Sequence, residues 1–258
     1  MGPTDVYLGC GPTIVPPPMP TARKSLAVSL LNIYETLGIS VPTVLDAILG
    51  RVTKETCDAR LAAWGKKIVA HARMEVTVVG RENMAEGATY LLMSNHQSHY
   101  DIPVLFYVVG ANLRMLGKVE LFKIPIFGEA AHQAGFIAVD RSNRTQAMKS
   151  LQVAKDTIAH GVHVWIAPEG TRSRTGDLLP FKKGGFSLAL EAGLPVLPIT
   201  IQGTKNALHA NDIRSVRDAK VRVTISPPLE ARDYAAGDLK TRRAALMADV
   251  RRAIESGL

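Results

Sequence analysis

Between residues 75 and 225 the chain alternates short strand-like runs with helix-like ones, and this alternation constrains the fold more than any other feature. Glu75 to Val79 alternates polar and apolar residues, as a half-buried strand does. Thr89 to Ser94, Gly135 to Val139, Val162 to Ile166, Pro195 to Ile201 and Val221 to Ile225 are strand-like by their apolar and β-branched content. Helical patterns lie between several of them, over 99–109, 143–160 and 184–192, and a last helix is expected over 238–256. Strands and helices in alternation pack as layers. The predicted fold class is therefore α/β, a mixed and largely parallel sheet flanked by helices.

The first 73 residues lack this rhythm. Residues 1–22 carry Pro12, Pro16, Pro17, Pro18 and Pro20 and read as an extended tail. No basic side chain precedes an apolar core there, so no secretory leader is expected. Residues 23–73 read as a helical appendage to a main domain over 74–258. In 25–37 the polar residues Ser25, Ser29, Asn32 and Thr36 form one narrow stripe, and Leu26, Leu30, Leu31, Ile33, Tyr34 and Leu37 cover most of the rest. Such a helix needs cover over a wide face, from protein or from lipid. Pro42 is expected to open a second short helix ending near Leu49. A third helix is expected over 54–73, with Arg60, Trp64, Lys67 and His71 on one stripe beside Leu61 and Ile68. Cations flanking Trp and Leu suit a helix lying on a membrane surface. A core-packed helix with a solvated basic edge fits the same pattern. The longest uncharged run, Val6 to Ala22, is broken by prolines, and apolar runs such as Ile102 to Leu113 and Ala192 to Thr204 are short, so no segment is expected to cross a bilayer.

Lys and Arg number 31 against 23 Asp and Glu, a net charge of +8. That excess favours an anionic partner: a membrane surface, a phosphorylated or CoA-like ligand, or nucleic acid. Nucleic acid falls behind because aromatic residues are only 5% of the chain and no nucleic-acid-binding motif is present. Cys10 and Cys57 form no metal-spaced or redox motif.

Three charged clusters follow directly on strands: Ser94-Asn-His-Gln-Ser-His-Tyr-Asp101, Asp140-Arg141, and Pro168-Glu-Gly-Thr-Arg172. Ligands gather beyond the carboxyl ends of strands in open α/β sheets, so the three clusters suggest one shared site. His96 with Asp101 forms a possible general base, the carboxylate fixing the imidazole while the ring accepts a proton from a hydroxyl. With no Gly-x-Ser-x-Gly elbow or neighbouring Cys, the pair suits direct attack by a substrate hydroxyl on an activated acyl group. Two other readings stay open here. Ser98-x-x-Asp101 fits a capping box, and His96, His99 and Asp101 are metal-ligand types, although their spacing matches no standard zinc set. Lys118, Arg141, Arg172, Arg174, Lys182 and Lys183 fall near the strand ends and supply cations for a phosphate.

In family order and spacing, residues 75–205 resemble the glycerophospholipid acyltransferases that include 1-acylglycerol-3-phosphate acyltransferase. Asn95-His-Gln-Ser-His-Tyr-Asp101 is similar to the family's His-x4-Asp block. Gly135-Phe-Ile-Ala-Val-Asp-Arg141, Pro168-Glu-Gly-Thr-Arg-Ser173 and Val196-Leu-Pro-Ile199 are similar to its next three. The resemblance implies that His96 is the general base and that Asp101 orients it. It implies that Arg141, Glu169, Gly170, Thr171 and Arg172 bind a glycerol phosphate, with Lys118 as a further phosphate ligand. It also implies an acyl-CoA or acyl carrier protein donor, a phosphorylated lipid acceptor, and neither metal nor organic cofactor. Membrane association follows from it too, as a peripheral or monotopic protein on the cytoplasmic face, with Arg60, Trp64 and Lys67 toward lipid. A non-lipid acceptor and a non-enzymatic lipid-binding module are the alternatives. Backbone N–H groups after Asn95 are expected to hold the oxyanion. Ala167 stands where the third block usually has Phe, which leaves more room beside Pro168.

Overall fold

The computed structural model describes residues 24–140 and 142–258. The expected tail over 1–22 and the expected ligand Arg141 lie outside the described residues. The elements follow in the order β1 (Lys24–Ser25), α1 (Leu26–Ile48), α2 (Lys54–His71), β2 (Glu75–Val79), β3 (Leu91–Ser94), α3 (Asp101–Val109), β4 (Leu113–Lys118), α4 (Phe127–Gln133), β5 (Ile137–Val139), α5 (Arg144–Ala159), β6 (His163–Ile166), α6 (Gly184–Ala192), β7 (Val196–Gln202), α7 (Thr204–Ala207), β8 (Ser215–Val216), β9 (Lys220–Ile225) and α8 (Leu239–Glu255).

Seven strands form one sheet in the order β2-β9-β7-β3-β6-β4-β5. Every neighbouring pair is parallel except β7 with β9. This is the mixed, largely parallel α/β sheet expected from the alternation. β3 and β7 are central and buried along almost their whole length, as strands covered on both faces must be. β2, at one edge, alternates exposed and half-buried residues. Side chains of β3 alternate between two cores. Leu92 joins Val104, Phe106 and Trp165 on the face covered by α1–α3, while Leu91 and Met93 join Phe186, Leu246 and Val250 on the face covered by α5, α6 and α8.

The four longest helices, α1, α2, α5 and α8, begin where a side chain accepts from a free N–H group. Thr53 accepts from Thr56 N at the start of α2 (3.2 Å), and Asp238 accepts from Thr241 N at the start of α8 (2.8 Å). Gly65 lets α2 lie close on α3, because a Cβ there would stand 2.9 Å from Phe106 Cβ.

Two expectations about the chain are corrected. Pro42 does not open a second helix: α1 runs through it for 23 residues. Contacts on both sides hold the helix on course. Trp64 Nε1 donates to Thr36 Oγ1 (3.0 Å) before the proline, and Arg60 bonds Thr43 and Asp46 after it. The continuous helix is long and apolar enough to cross a membrane by length and composition, whereas the sequence alone leads to the expectation of no such segment. The other correction is β4, which sequence patterning missed. Its buried Arg114 breaks the apolar signature, and the guanidinium is held by Asp58 (2.7 Å) and by the carbonyls of Ala111 and Leu113.

Candidate active site

β3, β6 and β7 are adjacent and parallel, so the residues after them meet at one end of the sheet. His96 to Asp101 follow β3, Glu169 to Arg172 follow β6, and Thr204 follows β7. Lys118 ends β4, two strands from β3.

Asp101 is fully buried at the first position of α3. Its Oδ2 accepts from Gln97 N (2.7 Å) and Ser98 N (2.9 Å) and lies 2.7 Å from His96 Nδ1. Its Oδ1 accepts from Thr204 Oγ1 (2.5 Å). A carboxylate ringed by donors is held as an acceptor, so His96 Nδ1 carries the proton and donates it. With Nδ1 as the donor, the lone pair of the neutral ring lies on the other nitrogen, Nε2. Trp165 meets the imidazole edge-on, 5.5 Å between centroids, and its Nε1 donates to Ser94 Oγ. The capping and base readings of Asp101 are therefore compatible, since one carboxylate caps the turn and orients the ring.

Glu169 is 2% exposed. One oxygen accepts from His96 N (2.7 Å) and the other from Leu179 N (2.9 Å). Burial pushes its carboxyl up, and the two N–H groups act against that. The side chain is thus a strut between the His96 loop and the 170–180 loop, and it is absent from the cavity wall. Gly170, with φ +74, turns the chain after Glu169 so that Thr171 and Arg172 face the cavity while Glu169 faces in. Arg172 Nη1 donates to Ala210 O (3.2 Å). The N–H groups of His96, Gln97 and Ser98 are all committed to carboxylates, so the expected oxyanion donors directly after Asn95 are not available.

His96 opens on a cavity of about 480 Å³ that runs between the sheet end and the α1–α2 pair, a size ordinary for a small-molecule site. Its wall includes Leu61, Met115, Phe122, Phe127, Phe136 and Ala167, with Lys118, Thr171 and Arg172 among its polar residues. Lys118 is 60% exposed and pairs with Glu120 at 3.0 Å. His99 also lines the cavity. Desolvation first, then the charges of Arg172 and His96, lowers its pKa to about 4, so the ring is neutral near pH 7.

Arg60 and Trp64, expected toward lipid, have their hydrogen-bond partners within the protein. Both line the cavity and join α2 to α1: Arg60 to Thr43 (3.0 Å) and Asp46 (2.5 Å), Trp64 to Thr36. Lys67 is exposed and pairs with Glu35 of α1 (2.8 Å). The polar side of α1 supplies the partners of this stripe. Among the described residues, no group of three or more His, Cys, Asp or Glu side chains is arranged to hold a metal ion. Thr204 was not singled out from the sequence. It stands alone after a buried strand with no charged neighbour before it, and only the pairing of β3 with β7 brings it to Asp101.

At one end of the α/β sheet, then, a His–Asp pair lies beside a mainly apolar cavity. The family model described as Acyltransferase matches residues 75–202, and the chain belongs to the acyltransferase family. Among curated relatives, proteins named 1-acyl-sn-glycerol-3-phosphate acyltransferase from Chlamydomonas reinhardtii and Escherichia coli are similar at 35% identity over 156 residues and 34% over 145. Those matches cover 60% and 56% of this chain and 47% and 58% of the relatives, so the chain spans about half the length of the curated relatives it matches. The crystal structure of the 1-acyl-sn-glycerophosphate acyltransferase PlsC from Thermotoga maritima shares the fold. Its TM-score is 0.73 at 24% identity, covering 90% of this chain and 95% of that one.

Proposed function

We propose that this protein moves a fatty acyl group from a thioester, acyl-CoA or acyl carrier protein, to the hydroxyl of a lysophosphatidate-like acceptor, giving phosphatidate. The observation that carries the reading is the oriented His96, its Nδ1 on buried Asp101, beside a mainly apolar cavity that also holds Arg172. The acceptor O–H gives its proton to His96 Nε2 as its oxygen attacks the thioester carbonyl. The tetrahedral oxyanion collapses, the C–S bond breaks, and the thiolate takes the proton from Nε2. Asp101 stabilises the imidazolium between these steps. Arg172, Lys118 and Arg141 serve the acceptor phosphate, and Gly170 and Thr171 shape the wall beside it. Glu169 serves the phosphate site through the loop it braces.

The exposed side of α1 supports membrane association. Leu30, Ile33, Tyr34, Leu37, Leu45 and Ile48 are all more than 40% exposed. The opposite side packs on α2 and α4 along the helix, so we read α1 as lying flat in one leaflet, on the face where the thioester donor is found.

The test is a panel of acceptors with one acyl-CoA and mass-spectrometric identification of products. Lysophosphatidate is expected to be the best acceptor. A phosphate-free acceptor in first place would remove the role given to Arg172. Ala167 lines the cavity where a Phe would narrow it, so Ala167→Phe is expected to slow bulky acceptors more than glycerol 3-phosphate.

A further inference from the structure

After the stretch that the family model matches, residues 204–216 cross the catalytic end of the sheet as a strap from α7 to β8. Three bonds tie the strap to the site. Thr204 Oγ1 donates to Asp101 Oδ1 (2.5 Å), Ser98 Oγ donates to Leu208 O (2.8 Å), and Arg172 donates to Ala210 O (3.2 Å). The other end of the strap is tied to α1. β8 pairs with β1, Ser215 N donates to Ser29 Oγ (3.0 Å), and Lys24 pairs with Asp212 (2.5 Å). A separate bond closes the circuit: Asn32 Nδ2 of α1 donates to the hydroxyl of Tyr100 (2.6 Å). Tyr100 is 3% exposed and sits in the turn between His96 and Asp101.

We propose that the strap positions the catalytic pair, with Thr204 as its working residue, and that it joins the seating of α1 to the geometry of that pair. The inference rests on the reading of His96 and Asp101 as the catalytic pair. Oδ2 of Asp101 has three donors, whereas Thr204 is the donor recorded on Oδ1 among the described residues. A buried carboxylate oxygen stripped of its donor carries a desolvation penalty and turns toward another donor. Turning Asp101 takes Oδ2 off the line to His96 Nδ1. A hydroxyl is what the position requires: serine keeps it, and valine keeps only the shape. Asn32 acts one step further away, by holding Tyr100 and so the turn that carries both members of the pair.

The experiment measures kcat and KM for acyl-CoA and lysophosphatidate with Thr204→Val, Thr204→Ser and Asn32→Ala, alongside thermal unfolding of each. In Thr204→Val, kcat is expected to fall about ten- to one-hundredfold, the loss of a hydrogen bond to a charged group, with both KM values little changed. Thr204→Ser is expected to restore most of it. Asn32→Ala is expected to lower kcat by about three- to tenfold, again without a KM change. An unchanged kcat in Thr204→Val overturns the proposal. So does a serine variant as impaired as the valine one, or a loss that only tracks the folded fraction. An unchanged kcat in Asn32→Ala detaches α1 from the pair. His96→Ala separates the two levels: if it keeps full activity, the catalytic-pair reading fails, and if it is inactive while Thr204→Val is normal, only the strap fails.

Discussion

Helices α1 and α8 carry the same kind of two-faced pattern and place it in opposite senses. On α8, Leu246, Val250 and Ile254 are fully buried, while Lys240, Arg252 and Glu255 face solvent. On α1 the polar residues Ser29, Asn32, Thr36, Ser40 and Thr43 face the protein, and Tyr34 and Ile48 are 70% and 75% exposed. Helical period identifies two faces and leaves open which one is inside. That is decided by what each face meets. The inner side of α1 meets Tyr100, Trp64, Arg60 and Ser215, each able to bond a hydroxyl or an amide. The inner side of α8 meets the apolar β7 and α6. An apolar side chain left in water forgoes roughly 1.5–3 kcal/mol relative to a buried one, so the outer side of α1 gains from a covering, which the proposed lipid contact would supply.

Matched substitutions on the two helices test this contrast. Leu246→Ala leaves a cavity in a closed core and is expected to cost about 2–5 kcal/mol in denaturant unfolding. Leu37→Ala on α1 is expected to stay within about 0.5 kcal/mol, and equal costs would put the outer face of α1 inside the protein. The next test is membrane binding. The double variant Leu30→Glu, Leu37→Glu is expected to fold normally and stop sedimenting with anionic vesicles, and undiminished sedimentation would leave α1 without its lipid role. The smallest effect concerns His99, whose folded pKa near 4 lies below the ordinary histidine value of 6.5. Between those values the unfolded chain binds the extra proton, so stability falls as pH drops from 6.5 toward 4. His99→Gln is expected to flatten the thermal-melting curve against pH over that window and leave it unchanged above pH 7.

The sheet was legible because most of its strands are uninterrupted apolar or alternating runs, and the predicted ranges meet six of the seven strands of the large sheet. β4 escaped because Arg114 is buried by a partner, Asp58, that lies 56 residues away. The site was half legible. His96 and Asp101 are close in sequence, and their pairing needs only one turn. Residue type alone makes Glu169, Arg60 and Trp64 candidates for ligand or lipid contact and says nothing of their hydrogen bonds. Their actual partners, Leu179 N, Asp46 and Thr36, lie on segments whose approach no local pattern encodes. Thr204 and the strap depend on strand order, which is the most non-local feature of all.

The central claim is that His96, held by Asp101, takes the proton from an acceptor hydroxyl. The most direct measurement is the rate of free thiol release from acyl-CoA in the presence of lysophosphatidate, comparing the wild-type chain with a folded His96→Ala variant. A fall of roughly 10²–10⁴-fold, the contribution of a positioned general base, is the predicted result. An unchanged rate would contradict it.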